Sequence, residues 1–205
     1  MAQVKKPKLR QAILTAAFSL FSENGYHNTT VSQIAKQAKL STANVYSYFP
    51  SKLHILYALY EPWLSAQLDE IELALEDIKS PRSRVRYILR ALWCDLPAQD
   101  NAFANNFIQA IATADPGTGY RPELLYATRQ RVAAMLLGAL SADRSSPATA
   151  TRIANVVMMA FDGYVIGRHL RRRGDCDDRT LDLFVDLIAG PARASSKSKT
   201  SRKDK

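Results

Sequence analysis

Thr42, Ala43, Asn44 and Ser47 place small side chains on one side of a short, acid-free helical segment, Thr42–Phe49. Side chains of that size let a helix backbone approach the floor of a DNA groove. Val45 and Phe49 lie four apart and turn the opposite side toward a core. Upstream, Thr30-Val31-Ser32-Gln33 has capping-box spacing: the Thr hydroxyl can take a backbone N–H and the Gln can reach back. Ile34, Ala35 and Ala38 then give one apolar face over two turns. Lys39-Leu40 forms the turn, with Leu40 pointing inward, and Ser41 caps the segment that follows. Pro50-Ser51-Lys52 stops that segment and starts a new one. Two short helices across a tight turn, the second poor in acid, point to a helix-turn-helix that reads DNA.

A reading unit needs a third wall. Gln11–Asn24 supplies it, with Ile13, Ala17, Leu20 and Phe21 at helical spacing and Gly25 suited to the position just past a helix end. Charge agrees with this placement. Residues 1–54 hold Lys5, Lys6, Lys8, Arg10, Lys36, Lys39 and Lys52 against Glu23 alone. The stretch 193–205 holds six Lys or Arg against Asp204. The formal charge of +9 therefore resides at the two ends, and the large middle is slightly acidic.

The rest of the chain reads helical throughout, with no alternating strand pattern and no repeat. The segments are Ser51–Lys79, with Glu61-Pro62 expected to kink or break it, Pro81–Leu96, Asn101–Thr113, Pro122–Leu140, Pro147–Arg172 and Arg179–Ile188. The fold class expected is all-α. Residues 1–54 form a three-helix DNA-binding domain, 55–191 a larger helical domain, and 192–205 a basic tail too poor in apolar residues to fold. Ala160, Gly163 and Gly167 share nearly one face of Pro147–Arg172, and Phe161, Tyr164, Val165 and Ile166 make that helix apolar almost all round. Such a helix must be covered on all sides. Arg179–Ile188 adds Leu181, Leu183, Phe184, Leu187 and Ile188.

Other function classes lack residues to carry them. His27, His54 and His169 show no metal-ligand spacing, and no phosphate loop, nucleophile motif or close carboxylate pair stands out. No enzyme activity, metal or cofactor is expected. The basic start followed by apolar Ala12–Phe21 mimics a secretion signal, but Thr15 and Ser19 interrupt it and no cleavage pattern follows. Two distant cysteines, Cys94 and Cys176, fit a reduced, cytoplasmic protein.

The stretch from Ile13 to Lys52 resembles the DNA-binding domain of the TetR (tetracycline-repressor) family. The likeness rests on Ala16-Ala17, Leu20-Phe21, Gly25-Tyr26, Thr29-Thr30-Val31, Ile34-Ala35, Ala38, Tyr46, Tyr48-Phe49 and Lys52. Lys39 stands where the family has Gly in the turn, and Ala43 where a Gly is common early in the reading helix. If the turn needs a positive φ, Lys39 costs about 1 kcal/mol. The resemblance implies that Thr30 and Lys52 hold phosphates. It gives Tyr46 and Tyr48 to phosphates or thymine methyls, and Ser32, Thr42, Ala43 and Asn44 to base edges. Asn44 is the best specificity candidate, because an Asn amide matches the N6/N7 edge of adenine.

The resemblance also implies a homodimer through Pro147–Arg172 and Arg179–Ile188, in agreement with their surplus apolar surface. It implies a repressor released from a palindromic operator by a small-molecule effector, and hence a cavity in the body. Trp63, Tyr87, Trp93, Phe103, Phe107, Tyr126, Met158, Phe161 and Asp162 are the candidates to line it. Asp162 is the odd one, a carboxylate in an apolar helix, suited to a ligand's cation or hydroxyl or to a neighbouring Arg. The alternative is a constitutive or architectural DNA-binding protein, whose body would be packed solid.

Overall fold

A computed structural model describes residues 6–99, 103–113, 121–141, 145–169 and 177–190. The expected tail 192–205, Cys176 and most of the loop 115–122 lie outside them, as do the side chains of Phe103 and His169. The described residues are helical, and no strand occurs among them. None of their helices is long and apolar enough to cross a membrane.

Three helices form the N-terminal unit: α1 (Pro7–Asn28), α2 (Val31–Gln37) and α3 (Thr42–Tyr48). Helix α1 is longer than the apolar spacing indicated, because Pro7 fits its first turn. At Gly25 (φ 79°, ψ 165°) the helical path is interrupted, so Tyr26–Asn28 is a separate terminal turn. Thr29 is fully buried, and its hydroxyl donates to the Gly25 carbonyl at 2.9 Å and the Leu20 carbonyl at 3.1 Å. The core of the unit is Ile13, Ala17, Phe21, Ile34, Ala35, Val45 and Phe49, all buried.

The turn after α2 closes in the Schellman pattern. Leu40 N–H bonds the Ala35 carbonyl at 2.9 Å and Lys39 N–H the Lys36 carbonyl at 3.1 Å. That pattern needs a left-handed residue, and Lys39 supplies it with φ 58°. A side chain there costs about 1–2 kcal/mol. Lys39→Asn, a residue that tolerates this conformation, should therefore raise stability by about 0.5–1 kcal/mol in chemical denaturation. Lys39→Val should lower it, and a null result for both would mean the turn relaxes.

The body begins with α4 (Lys52–Glu76), capped by Ser51. The expected break at Glu61-Pro62 does not occur: the helix runs through Pro62 without interruption. Pro62 is exposed, and buried neighbours on both sides, Tyr60 and Leu64, anchor the helix. The tertiary packing thus outweighs one missing backbone donor. Next come α5 (Pro81–Arg90), a π-helical turn (Ala91–Asp95) and α6 (Leu96–Gln99), where the sequence indicated one plain helix. Then follow α7 (Phe103–Ala112), α8 (Pro122–Ala139), α9 (Pro147–His169) and α10 (Asp178–Ala189). The π turn directs Trp93 inward: it is 2% exposed, and its indole N–H donates to the Val157 carbonyl at 2.9 Å.

Charge rows fasten the outer helices. Arg82 and Arg86 of α5 pair with Asp186, Asp182 and Asp178 of α10. Arg131 of α8 pairs with Asp69 and Glu72 of α4. These pairs are largely solvated, so each contributes at most about 1 kcal/mol. They set the register between helices that the apolar core already holds together.

Candidate nucleic-acid interface and body cavity

The reading surface is assembled by local caps. Thr30 Oγ1 accepts from Gln33 N–H at 3.2 Å, while Thr30 N–H donates to Gln33 Oε1 at 2.7 Å. Ser41 Oγ accepts from Asn44 N–H at 3.1 Å and fixes the start of α3. Val45 is fully buried, which turns Ala43, Asn44 and Ser47 outward, where they are exposed. Ser32 and Tyr46 are exposed as well, and Thr42 is half-buried. The structure therefore brings Ser32, Thr42, Ala43, Asn44 and Tyr46 to the outer side of one small unit.

Three other residues have internal duties. The Thr30 hydroxyl is used by its capping box. The Tyr48 hydroxyl accepts from Lys6 N–H at 2.9 Å and so ties α3 to the entrance of α1. Lys52 Nζ donates to the Tyr26 carbonyl at 2.6 Å and the Thr29 carbonyl at 2.8 Å, and lies 4.1 Å from the Tyr26 ring centroid. Burial holds its pKa below the ordinary lysine value. An ammonium has three N–H groups, and these two bonds occupy two of them. Lys52 is thus first a clamp on the end of α1, a role that residue type and spacing do not disclose.

Asn106 on α7 was not marked by the sequence. It is 3% exposed, its Oδ1 accepts from Tyr26 N–H at 2.9 Å, and its Nδ2 donates to the Phe21 carbonyl at 3.0 Å. Gly25 breaks the helical path between these two backbone groups, and one amide side chain bonds both. The available signal was Asn105-Asn106, two poor helix formers inside an otherwise apolar helix.

Phe107 follows on the same helix and borders a cavity of about 70 Å³. Residues of α4, the π turn, α7, α8 and α9 enclose it, among them Tyr60, Leu92, Phe107, Leu125, Met158 and Phe161. Tyr60 and Phe107 stack with ring centroids 4.4 Å apart. Of the sequence candidates, Phe107, Met158, Phe161 and Asp162 lie on its wall. Trp63, Tyr87, Trp93 and Tyr126 do not border it. Trp63 packs beside Tyr60, and Tyr87 is half-buried against the core. Trp93 is enclosed by Tyr164 and Phe184. Tyr126 is 63% exposed and borders an open groove between α8 and α9. Asp162 is an exposed residue overall, yet burial around its carboxyl raises the pKa, an effect that Arg129 partly offsets.

A three-helix unit carrying a helix-turn-helix packs on a larger helical body. Residues 13–59 match the family described as bacterial regulatory proteins, tetR family. The chain is 38% identical over 103 residues to the HTH-type transcriptional regulator HbdR of Aromatoleum sp. (strain CIB), covering 48% of this chain and 45% of that one. It is 41% identical over 75 residues to the fatty acid metabolism regulator protein of Bacillus subtilis (strain 168), covering 37% of each. The chain thus spans less than half the length of these two relatives. The fatty acid degradation regulator FadR from Bacillus halodurans shares the fold with a TM-score of 0.63 at 19% identity, covering 94% of this chain and 100% of that one.

Proposed function

We propose that this chain is a sequence-specific transcriptional regulator, working as a two-fold dimer on a palindromic operator, with repression as its resting activity and a small-molecule effector as its release signal. The observation that carries the reading is the placement of α7. One of its residues holds the kink of α1, and its neighbours border the body cavity. A ligand that shifts α7 would therefore move the reading unit. Two relatives of this fold are described with ligands: FadR from Bacillus subtilis in complex with stearoyl-CoA, and a regulator from Saccharomonospora viridis in complex with choline. They support a ligand-responsive body here. To convert operator-bound protein from 99:1 to 1:99, an effector must prefer the released state by about 5.5 kcal/mol.

Tail-to-tail pairing of the body is supported by exposed apolar residues on its last two helices: Val156, Met159 and Ile166 on α9, and Leu183 and Leu187 on α10. Two reading units related by a two-fold axis would read inverted half-sites at a spacing set by their separation.

Selection from a random DNA library tests the reading directly. Wild-type protein without effector should enrich one palindrome. Asn44→Ala should lower affinity for it by about 1–3 kcal/mol and relax a single base position in each half-site. Enrichment of no sequence would end the proposal. The constitutive alternative draws on the small size of the cavity, since ligand sites are commonly about 300–1,000 Å³. It predicts that no compound loosens the operator complex.

A further inference from the structure

Arg129 stands at the boundary of two spaces. It borders the enclosed cavity of about 70 Å³ and also the open groove of about 510 Å³ between α8 and α9. It is the residue common to both walls. Its setting differs from that of Arg131, two residues on, which is held by Asp69 and Glu72. Arg129 makes no hydrogen bond to another described residue, and its guanidinium influences Asp162 only through its charge.

The two spaces differ in character. The cavity wall is dominated by Leu, Ile, Phe, Tyr and Met side chains. The groove has Tyr126, Gln130, Thr151 and Asn155 beside Arg129, and no acidic residue borders it among the described residues. A molecule that used both would carry an apolar tail inside and a polar head outside, with the head next to a cation. We propose that Arg129 anchors the head of the effector, an organic anion whose compact apolar tail enters the cavity while its acidic group lies in the groove. This rests on the effector reading above and gives it a ligand class.

Asp162 is the argument for the opposite charge. It borders the cavity and not the groove, so a cation drawn to it would have to lie inside, beside the Arg129 guanidinium. A carboxylate in the groove meets Arg129 first, with neutral hydrogen-bonding side chains around it. Size points the same way. A space of about 70 Å³ admits only a short, slender apolar tail. The bulkier, charged part must remain in the groove. A longer tail enters only by parting α4, α7 and α9, which would displace the helix that holds α1.

The experiment uses full-length dimer or monomer as purified, with hexanoate as probe and 1-hexanol and hexyltrimethylammonium as its neutral and cationic counterparts. Binding is read by titration calorimetry, independently of DNA, and operator release by fluorescence anisotropy. Wild type should bind hexanoate at least tenfold more tightly than either counterpart. Arg129→Gln should weaken hexanoate at least tenfold, and Arg129→Lys should retain most of the affinity. Because Arg129 is exposed and makes no hydrogen bond to another described residue, both variants should melt as wild type does. The proposal is overturned if the cation binds as well as hexanoate, if Arg129→Gln is unaffected, or if hexanoate does not bind. It is also overturned if Ala134→Cys, placed in the groove, cross-links rapidly between copies and hexanoate is excluded, because a second chain then covers the groove. Failure here with operator release by some other compound leaves the effector reading intact. Hexanoate binding that obeys these rules while no compound releases the operator supports the site and defeats the reading.

Discussion

Gly163→Leu should leave the subunit folded and cost it its partner. A Cβ at Gly163 meets nothing within 4 Å among the described residues of the subunit, and the same is true of Gly167. Replacing Gly by Leu in a helix interior is itself favourable by about 0.5–1 kcal/mol, so the melting temperature of the subunit should hold or rise. The effect must come from outside. If α9 packs closely on its copy at Gly163, four added carbons hold the helices apart and the interface loses its fit. Met159, one turn earlier and 72% exposed, would stand at the same surface. Met159→Glu should place one charge from each copy in an apolar contact. Sedimentation at micromolar concentration should show a dimer for wild type and mostly monomer for the double variant. Operator affinity should fall at least roughly a hundredfold, about 2.7 kcal/mol, since a lone unit reads one half-site. An unchanged dimer would place the interface elsewhere.

The reading unit was legible because its determinants are local. Thr30 with Gln33 and Ser41 with Asn44 are caps closed within four residues, and the structure shows both. For Lys39 the sequence offered only a condition, a cost if the turn needs a positive φ; the Schellman closure seen in the structure supplies that need. Of the apolar residues singled out on the last two helices, Ile166, Leu183 and Leu187 are exposed, while Phe161, Val165, Leu181 and Ile188 are buried. Lys52 shows where local reading stops. Its type and position suit a phosphate, yet its bonds to Tyr26 and Thr29 depend on how α1 ends.

The body is harder, because aromatic residues do not declare which void they border. Trp93 and Phe107 are equally apolar and equally buried, but a π turn sends Trp93 toward Val157 while Phe107 faces the cavity. The charge rows give a half-way case. Arg82, Arg86 and Arg90, and likewise Asp178, Asp182 and Asp186, recur every fourth residue and are visible along the sequence. That the first row meets the second depends on the docking of α10 against α5, which is a property of the whole core.

Asn106→Ala should loosen the joint between body and reading unit. The substitution removes the acceptor of Tyr26 N–H and the donor to the Phe21 carbonyl, both within a buried contact. Each buried group left without a partner costs about 1–3 kcal/mol, so global stability should drop by about 2–4 kcal/mol in chemical denaturation. Asn106→Asp keeps the acceptor and turns a carboxylate oxygen toward the Phe21 carbonyl, so it should be no better than Ala. The larger consequence is functional. Ala104, Phe107, Ile108 and Ile111 border the cavity from the same helix, so on the proposed reading a ligand that moved α7 would reach α1 through Asn106. Coupling of this kind is measured as the ratio of operator affinities with and without a releasing compound. That ratio should collapse toward one in Asn106→Ala, while the compound still binds the body with near wild-type affinity. Gly25→Ala supplies the control from the opposite side. Its Cβ would approach Asn106 Oδ1 only to 3.8 Å, so it strains the backbone at φ 79° rather than crowding the amide. Full release by the compound in Asn106→Ala, at full stability, would show that the signal travels through α4 instead.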